Sequence, residues 1–257
     1  MKLLLTTLLA SIAAFAQPAP GNVGQSNPVA GKPFSGVETR RTTQILGDGT
    51  HIDKSDTSNY YRDAQGRARS ESKTKAMIYD PVAGVQYSLN LANRSYTKTL
   101  IDPHSGTHSI GAIGDNTWWS HSSTSSSGTP AQANRVYTTT FNGQPVSVAK
   151  PVVEDLQPQT INGIYAKGKR TTTVIPQGAI GNDRDFRIIN EQWTSDDLHV
   201  LVKSVNTDPR FANSSYELTN IVQGPPDPAL FQIPGDFRQG TAPANPMMQP
   251  QHTTHHE

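Results

Sequence analysis

The chain has 257 residues, 34% of them hydrophobic, with 20 Gly, 19 Pro, no Cys and a formal charge of +1 from 22 basic and 21 acidic side chains. A chain of this length buries enough surface to fold without covalent staples, and the lack of cysteine excludes a disulfide framework and thiol chemistry. Near-neutrality argues against nucleic acid or an anionic membrane surface as the main partner, since neither would feel a broad attraction.

Residues 1–16 read as an export signal. Lys2 gives the positive start, Leu3 to Phe15 the apolar stretch, and Ala14-Phe15-Ala16 the small-x-small pattern cut before Gln17. The apolar run is shorter than the roughly 20 residues a membrane-spanning helix needs. Gln17 stands where a lipid anchor would require cysteine, so the expected product is periplasmic or extracellular and is not a lipoprotein. Residues 17–33 form a Pro/Gly-rich leader, residues 239–257 a Pro/His-rich tail, and residues 34–238 the expected single domain.

Within that domain, Thr, Val, Ile and Tyr dominate, turn dipeptides recur, and no segment holds a helical apolar period over three turns. The fold class expected is therefore mainly β: a single strongly curved antiparallel sheet, an open or incomplete β-barrel with little helix. The first strand runs from Gly36 to Leu46, and Gly47-Asp48-Gly49 turns it into a second that ends near Arg62. Asp63 to Gly66 leads to a third from Arg67 to Tyr79, and Asp80-Pro81 to Gly84 leads to a fourth from Val85 to Leu91. A fifth covers Ser95 to Ile101.

The third strand places Arg67, Arg69, Lys73 and Lys75 on one face, interrupted by Glu71; such a basic stripe can hold an anionic ligand but more often protects an edge from unwanted pairing. Its other face carries Ala68, Ser70, Ser72, Thr74, Ala76 and Ile78, small residues that leave room for aromatic side chains from another layer or for a bound apolar molecule. The fourth strand alternates cleanly, with Val85, Tyr87, Leu89 and Leu91 on its apolar side.

Residues 102–135 interrupt the pattern as a Ser/Gly-rich insertion holding Trp118 and Trp119. Asn142-Gly143 then predicts a hairpin between Val136–Phe141 and Gln144–Ala149. Strands are expected over Thr160–Ile175, Asp185–Ser195, Leu198–Asn206 and Ser214–Gln223. One helical turn at Asp227 to Phe231 follows, before Ile233 and Phe237 pack on the sheet.

Catalytic spacings are scarce. Gly163 to Lys169 approaches a phosphate loop, yet Arg170 stands where the magnesium-holding hydroxyl belongs and no helix follows. Asp102, His104, His108 and His121 sit in the polar insertion with nothing to fix them as zinc ligands, and His252, His255 and His256 belong to the tail. His199 beside Asp196 and Asp197 has no fixed nucleophile next to it and is expected at the surface. No catalytic residue, metal ligand or cofactor is assigned. The residues expected to line an apolar concavity are Tyr87, Leu89, Trp118, Trp119 and Trp193. The partner expected there is a lipid-like or amphiphilic ligand, and the alternatives are a structural protein with a self-filled core or an enzyme of unrecognised type.

Three early strings, Tyr61-Arg62-Asp63-x-x-Gly66-Arg67-x-Arg69-x-Glu71, Ile78-Tyr79-Asp80-Pro81 to Tyr87, and Ser95-Tyr96-Thr97-Lys98, look like those of a known exported architecture. So do Glu191-Gln192-Trp193 to Val200, Tyr216-Glu217-Leu218-x-Asn220-Ile221 and Pro228-x-Leu230-Phe231-x-Ile233-Pro234. Together they resemble the periplasmic lipoprotein-carrier-like proteins of the LolA/LppX/RseB type, and a wider group of exported bacterial proteins with the same strings. The resemblance implies an incomplete antiparallel barrel around a helical plug, with a hollow that holds acyl chains in the carriers. It assigns no functional residue to a position here.

Overall fold

The computed structural model describes residues 29–101, 137–141 and 144–240. The expected export signal, most of the leader, the 102–135 insertion with Trp118 and Trp119, and the tail beyond residue 240 lie outside them. Strands β1 (Phe34–Ile45), β2 (His51–Arg62), β3 (Ala68–Glu71), β4 (Lys75–Asp80), β5 (Val85–Asn90) and β6 (Ser95–Leu100) form an antiparallel meander. A second meander follows, of β9 (Val152–Ile161), β10 (Ile164–Ile175), β11 (Phe186–Ser195), β12 (Val200–Thr207) and β13 (Asn213–Gln223). Between them β7 (Tyr137–Phe141) and β8 (Gln144–Val148) pair as the hairpin expected from Asn142-Gly143, with Phe141 opposite Gln144.

The meanders join where β1 pairs with β13, and β14 (Arg238–Gln239) adds two residues parallel to β6. The result is one twelve-stranded sheet, ordered β14-β6-β5-β4-β3-β2-β1-β13-β12-β11-β10-β9, whose edges do not meet. Among the described residues the helical content is a single 3₁₀ turn, Pro228–Phe231, started by Pro228 and capped by Asp227, whose carboxylate accepts from the Ala229 amide. The open, mainly β architecture is thus the one the sequence predicts.

Two side chains show how strongly the sheet curls. Arg62 at the end of β2 donates to the carbonyls of Leu198 and His199 in the β11–β12 turn, three strand spacings away in the sheet order. Asn162 in the β9–β10 turn donates to the Leu218 carbonyl of β13 at 2.9 Å, again across three spacings. In a flat sheet each gap would be about 14 Å, beyond the reach of an asparagine, so the second meander curls on itself and its β11–β12 turn comes back to the end of β2.

The curl encloses a core of Phe34, Tyr60, Ala68, Met77, Tyr79, Ile164, Ala166, Trp193, Val200, Val202, Tyr216 and Leu218, drawn from both meanders. A smaller cluster of Ala76, Ile78 and Leu89, with Tyr87, Tyr96 and Phe237 against it, covers the opposite face. This explains β4, whose residues Ala76, Met77, Ile78 and Tyr79 are all buried: alternate side chains enter different cores.

Several sequence expectations change. The strand expected from Arg67 to Tyr79 is a hairpin, β3 and β4, turned at residues 72–74, where Ser72 and Lys75 exchange bonds through the Ser72 hydroxyl. No Gly, Pro or Asn marks that turn; a serine side chain makes it instead. The basic stripe therefore does not exist. Arg67 pairs with Asp63 at 2.6 Å, and Arg69 pairs with Glu71 at 2.6 Å while donating to the Leu230 carbonyl. The continuous small-residue face also dissolves, since Ala68 enters the large core and Ala76 the small one. Finally, the strand expected from Thr160 to Ile175 is divided at Asn162-Gly163, and β9 before it was not expected. As an outer strand exposed along most of its length, with Glu154, Asp155 and Pro158, β9 lacks the alternation that marks a half-buried strand.

Candidate functional site

Along β10, Ile164, Ala166, Gly168, Arg170 and Thr172 share one face by strand alternation, and the first three are buried. The register sets their neighbours. Gly168 lies between Leu156 and Trp193, with Lys203 beyond; Arg170 lies between Glu154 and Glu191, with Val205 beyond; Thr172 is opposite Ile189, with Thr207 beyond. The first of these rows closes the core. Trp193 is 6% exposed and covers Gly168 so closely that a Cβ there would sit 2.6 Å from Trp193 Nε1 and 2.9 Å from Leu156 Cβ. Only glycine fits beneath the indole.

Beyond that row the face opens into a groove of about 320 Å³, lined by Glu154, Arg170, Thr172, Arg187, Ile189, Glu191, Val205 and Thr207. Its floor mixes Ile189 and Val205 with two threonines. Arg170 is held by Glu191 through bonds of 2.7 and 2.6 Å, with Glu154 at 3.9 Å on its other side. Arg187, opposite Val174 at the far end, is exposed and makes no ion pair with any described residue. The groove thus offers an apolar strip, a neutralised central pair and an uncompensated guanidinium.

A second polar assembly lies at the seam of the meanders. Glu38 is fully buried, accepting from the Tyr216 hydroxyl at 3.0 Å on one oxygen and from Ser58 and Ser70 at 3.2 and 3.4 Å on the other. Burial raises its pKa above the usual carboxylate range, opposed by the nearby Arg40 charge and the three hydrogen bonds. Burial likewise raises the phenols of Tyr60 and Tyr216. Arg40 stacks over the Tyr216 ring at 5.1 Å. This is a convergence of perturbed groups, but Glu38, Ser70 and Tyr216 have no exposed surface, so no substrate reaches them. It ties β1, β2, β3 and β13 together.

The residues expected to line one concavity are dispersed. Trp193 belongs to the large core beside the groove, whereas Leu89 and Tyr87 pack with Ala76, Ile78 and Phe237 in the small cluster, Tyr87 edge-on to Tyr96. Trp118 and Trp119 lie outside the described residues. His199 is exposed, with a left-handed φ of 47°, and contributes its carbonyl to Arg62. Gly163 to Lys169 form a hairpin and the start of β10, so no phosphate cradle is present there. Among the described residues no group of three His, Asp or Glu is placed to hold a metal. The groove residues carry no motif; the available signal was the run Arg170, Thr172 continuing a face that begins Ile164, Ala166, Gly168.

No protein-family model matches the chain, and no curated protein matches it. Among solved structures, it is similar to MucB in the MucA/MucB complex of Pseudomonas aeruginosa, at 12% identity and a TM-score of 0.38, over 80% of this chain and 56% of that one. It therefore spans little more than half the length of that MucB chain. It is also similar to LprF of Mycobacterium bovis (14% identity, TM-score 0.31, 80% of this chain and 90% of that one). A LolA-superfamily protein of Nitrosomonas europaea gives 9% identity and a TM-score of 0.23, over 80% of this chain and 92% of that one. These are likenesses between distant chains. No helix among the described residues is long and apolar enough to cross a membrane.

Proposed function

We propose that this is an exported, non-enzymatic binding protein, with residues 34–238 as its folded unit, that holds an amphiphilic ligand on the open face of the second meander. The observation that carries the reading is the groove itself: a concave, solvent-connected space on the face of β10 that elsewhere forms the core, with an apolar floor and charged walls. Its volume of about 320 Å³ lies at the small end of ligand sites, which run from about 300 to 1,000 Å³. It suits one chain or a headgroup with a short chain rather than several long acyl chains. The sealed state of the Glu38 assembly supports binding over catalysis, because its perturbed groups have no access to a substrate.

The test is titration of delipidated protein with a fluorescent fatty acid, for the wild type and for Ile189→Glu, which puts a charge on the groove floor. Saturable uptake that Ile189→Glu abolishes and Tyr87→Ala retains supports the reading. No uptake overturns it and favours the second reading, a structural envelope protein whose interior is filled by its own side chains, as the packing of Trp193 against Gly168 and Leu156 already shows for one row.

A further inference from the structure

From the distribution of charge in the groove, we infer that its ligand is anionic, an oxyacid-headed single-chain amphiphile whose carboxylate or phosphate pairs with Arg187. The inference rests on the binding reading above and narrows it to a ligand class and a recognition residue.

The four charges lining the groove are not equivalent. Arg170 is already paired: Glu191 takes its Nε and one terminal nitrogen at 2.7 and 2.6 Å, and Glu154 stands 3.9 Å from the other. A ligand anion competing for it would meet two carboxylates already in place. Arg187 stands two register positions further along β11, beyond Ile189, and shares the lining with no carboxylate of its own. Its planar fork of donors matches a carboxylate or phosphate in two parallel bonds, and it is exposed at the end of the groove, where a hydrated head stays in water. Between that end and the Trp193 row lie Ile189 and Val205, the apolar contacts a chain needs. The head is therefore placed at Arg187 and the chain runs toward Trp193, over the side where the Arg170–Glu191 pair is internally neutralised. Both groove carboxylates lie beside Arg170, so the Arg187 end of the groove carries positive charge alone and favours an anionic head.

The test is competition against the bound fluorescent fatty acid by dodecanoate, dodecyl phosphate and the uncharged dodecyl maltoside, with the wild type, Arg187→Ala and Arg187→Lys. The expected result is displacement by both anions and a loss of about tenfold in their affinity in Arg187→Ala, with the maltoside unaffected by the substitution. Dodecanoate alone competing would assign the head to carboxylate, and dodecyl phosphate alone to phosphate; in each case Arg187→Lys recovers only part of the loss, since an ammonium replaces a fork by a point charge. Equal competition by the maltoside, or anion affinity unchanged in Arg187→Ala, overturns the inference while the groove remains a binding site. Absence of any fluorescent uptake removes both.

Discussion

The Tyr216 hydroxyl donates to the Glu38 carboxylate at 3.0 Å in a part of the molecule that water does not reach, where strands from the two ends of the folded chain meet. This bond and those from Ser58 and Ser70 compensate only part of the cost of burying the carboxylate, which is why its pKa is raised.

The pH dependence follows from that direction. A carboxyl whose folded pKa lies above its unfolded value of 4.5 binds its proton more tightly in the native state, so the protein loses stability as pH rises from that value through the folded one. Glu38→Gln removes this term. Unfolding free energies from urea titrations between acid and neutral pH are expected to fall with rising pH in the wild type relative to Glu38→Gln, by up to about 1.4 kcal/mol per pH unit within the window. Parallel curves for the two proteins would show that Glu38 does not titrate differently on folding.

Gly168→Ala is expected to destabilise by about 1–3 kcal/mol through overpacking, because its methyl would meet the rigid Trp193 ring and the Leu156 Cβ rather than a flexible tip. Gly163→Ala meets no atom within 4 Å and is strained instead by its φ of 81°. Chemical denaturation of the two variants separates packing from backbone strain: a compensating Trp193→Phe, which shortens the ring system, should recover stability only in Gly168→Ala.

Arg62 is 1% exposed and its guanidinium serves three carbonyls, those of Lys32, Leu198 and His199, while stacking on Phe34 at 4.7 Å. Arg62→Ala leaves buried acceptors without donors at about 1–3 kcal/mol each, so the thermal transition is expected to drop by many degrees. Arg62→Lys should recover little, since one ammonium cannot reach acceptors on both sides of the curl. A small change in melting temperature for Arg62→Ala would show that the curl is held without it.

Phe231 is 4% exposed and packs beneath Arg67 at 5.2 Å from ring to guanidinium, next to the Leu230 carbonyl that Arg69 holds. Phe231→Ala is expected to cost about 3–5 kcal/mol, the range for a buried phenylalanine. Protease cleavage between residues 225 and 240 of the folded variant, absent in the wild type, would place the loosening at this segment.

Much of the β architecture was legible because its turns have a sequence mechanism. Gly47-Asp48-Gly49, Asp80-Pro81 and Asn142-Gly143 announce the hairpins they join. The turn between β3 and β4 was hidden because a serine hydroxyl supplies it, and β9 was hidden because an exposed edge strand has no buried side to reveal. Nothing in the sequence around Glu38, which neighbours Arg40 and Arg41, marks it for burial; the closure of β13 on β1 buries it. Trp193 stood out as a large aromatic expected to line a hollow, but it packs into the large core beside the groove; Arg187 and Ile189 carried no signal, since their face is set by pairing with β10. Tyr87 and Leu89 show the converse: a clean alternation identifies a buried side but not which of two cores receives it.

The claim that a ligand occupies the groove between β9 and β12 is tested most directly by photo-crosslinking. A diazirine-bearing fatty acid irradiated with delipidated protein, followed by peptide mass mapping, is predicted to label peptides containing Thr172, Ile189 and Val205. Labelling confined to the Tyr87–Tyr96 face, or none that excess unlabelled fatty acid suppresses, would contradict it.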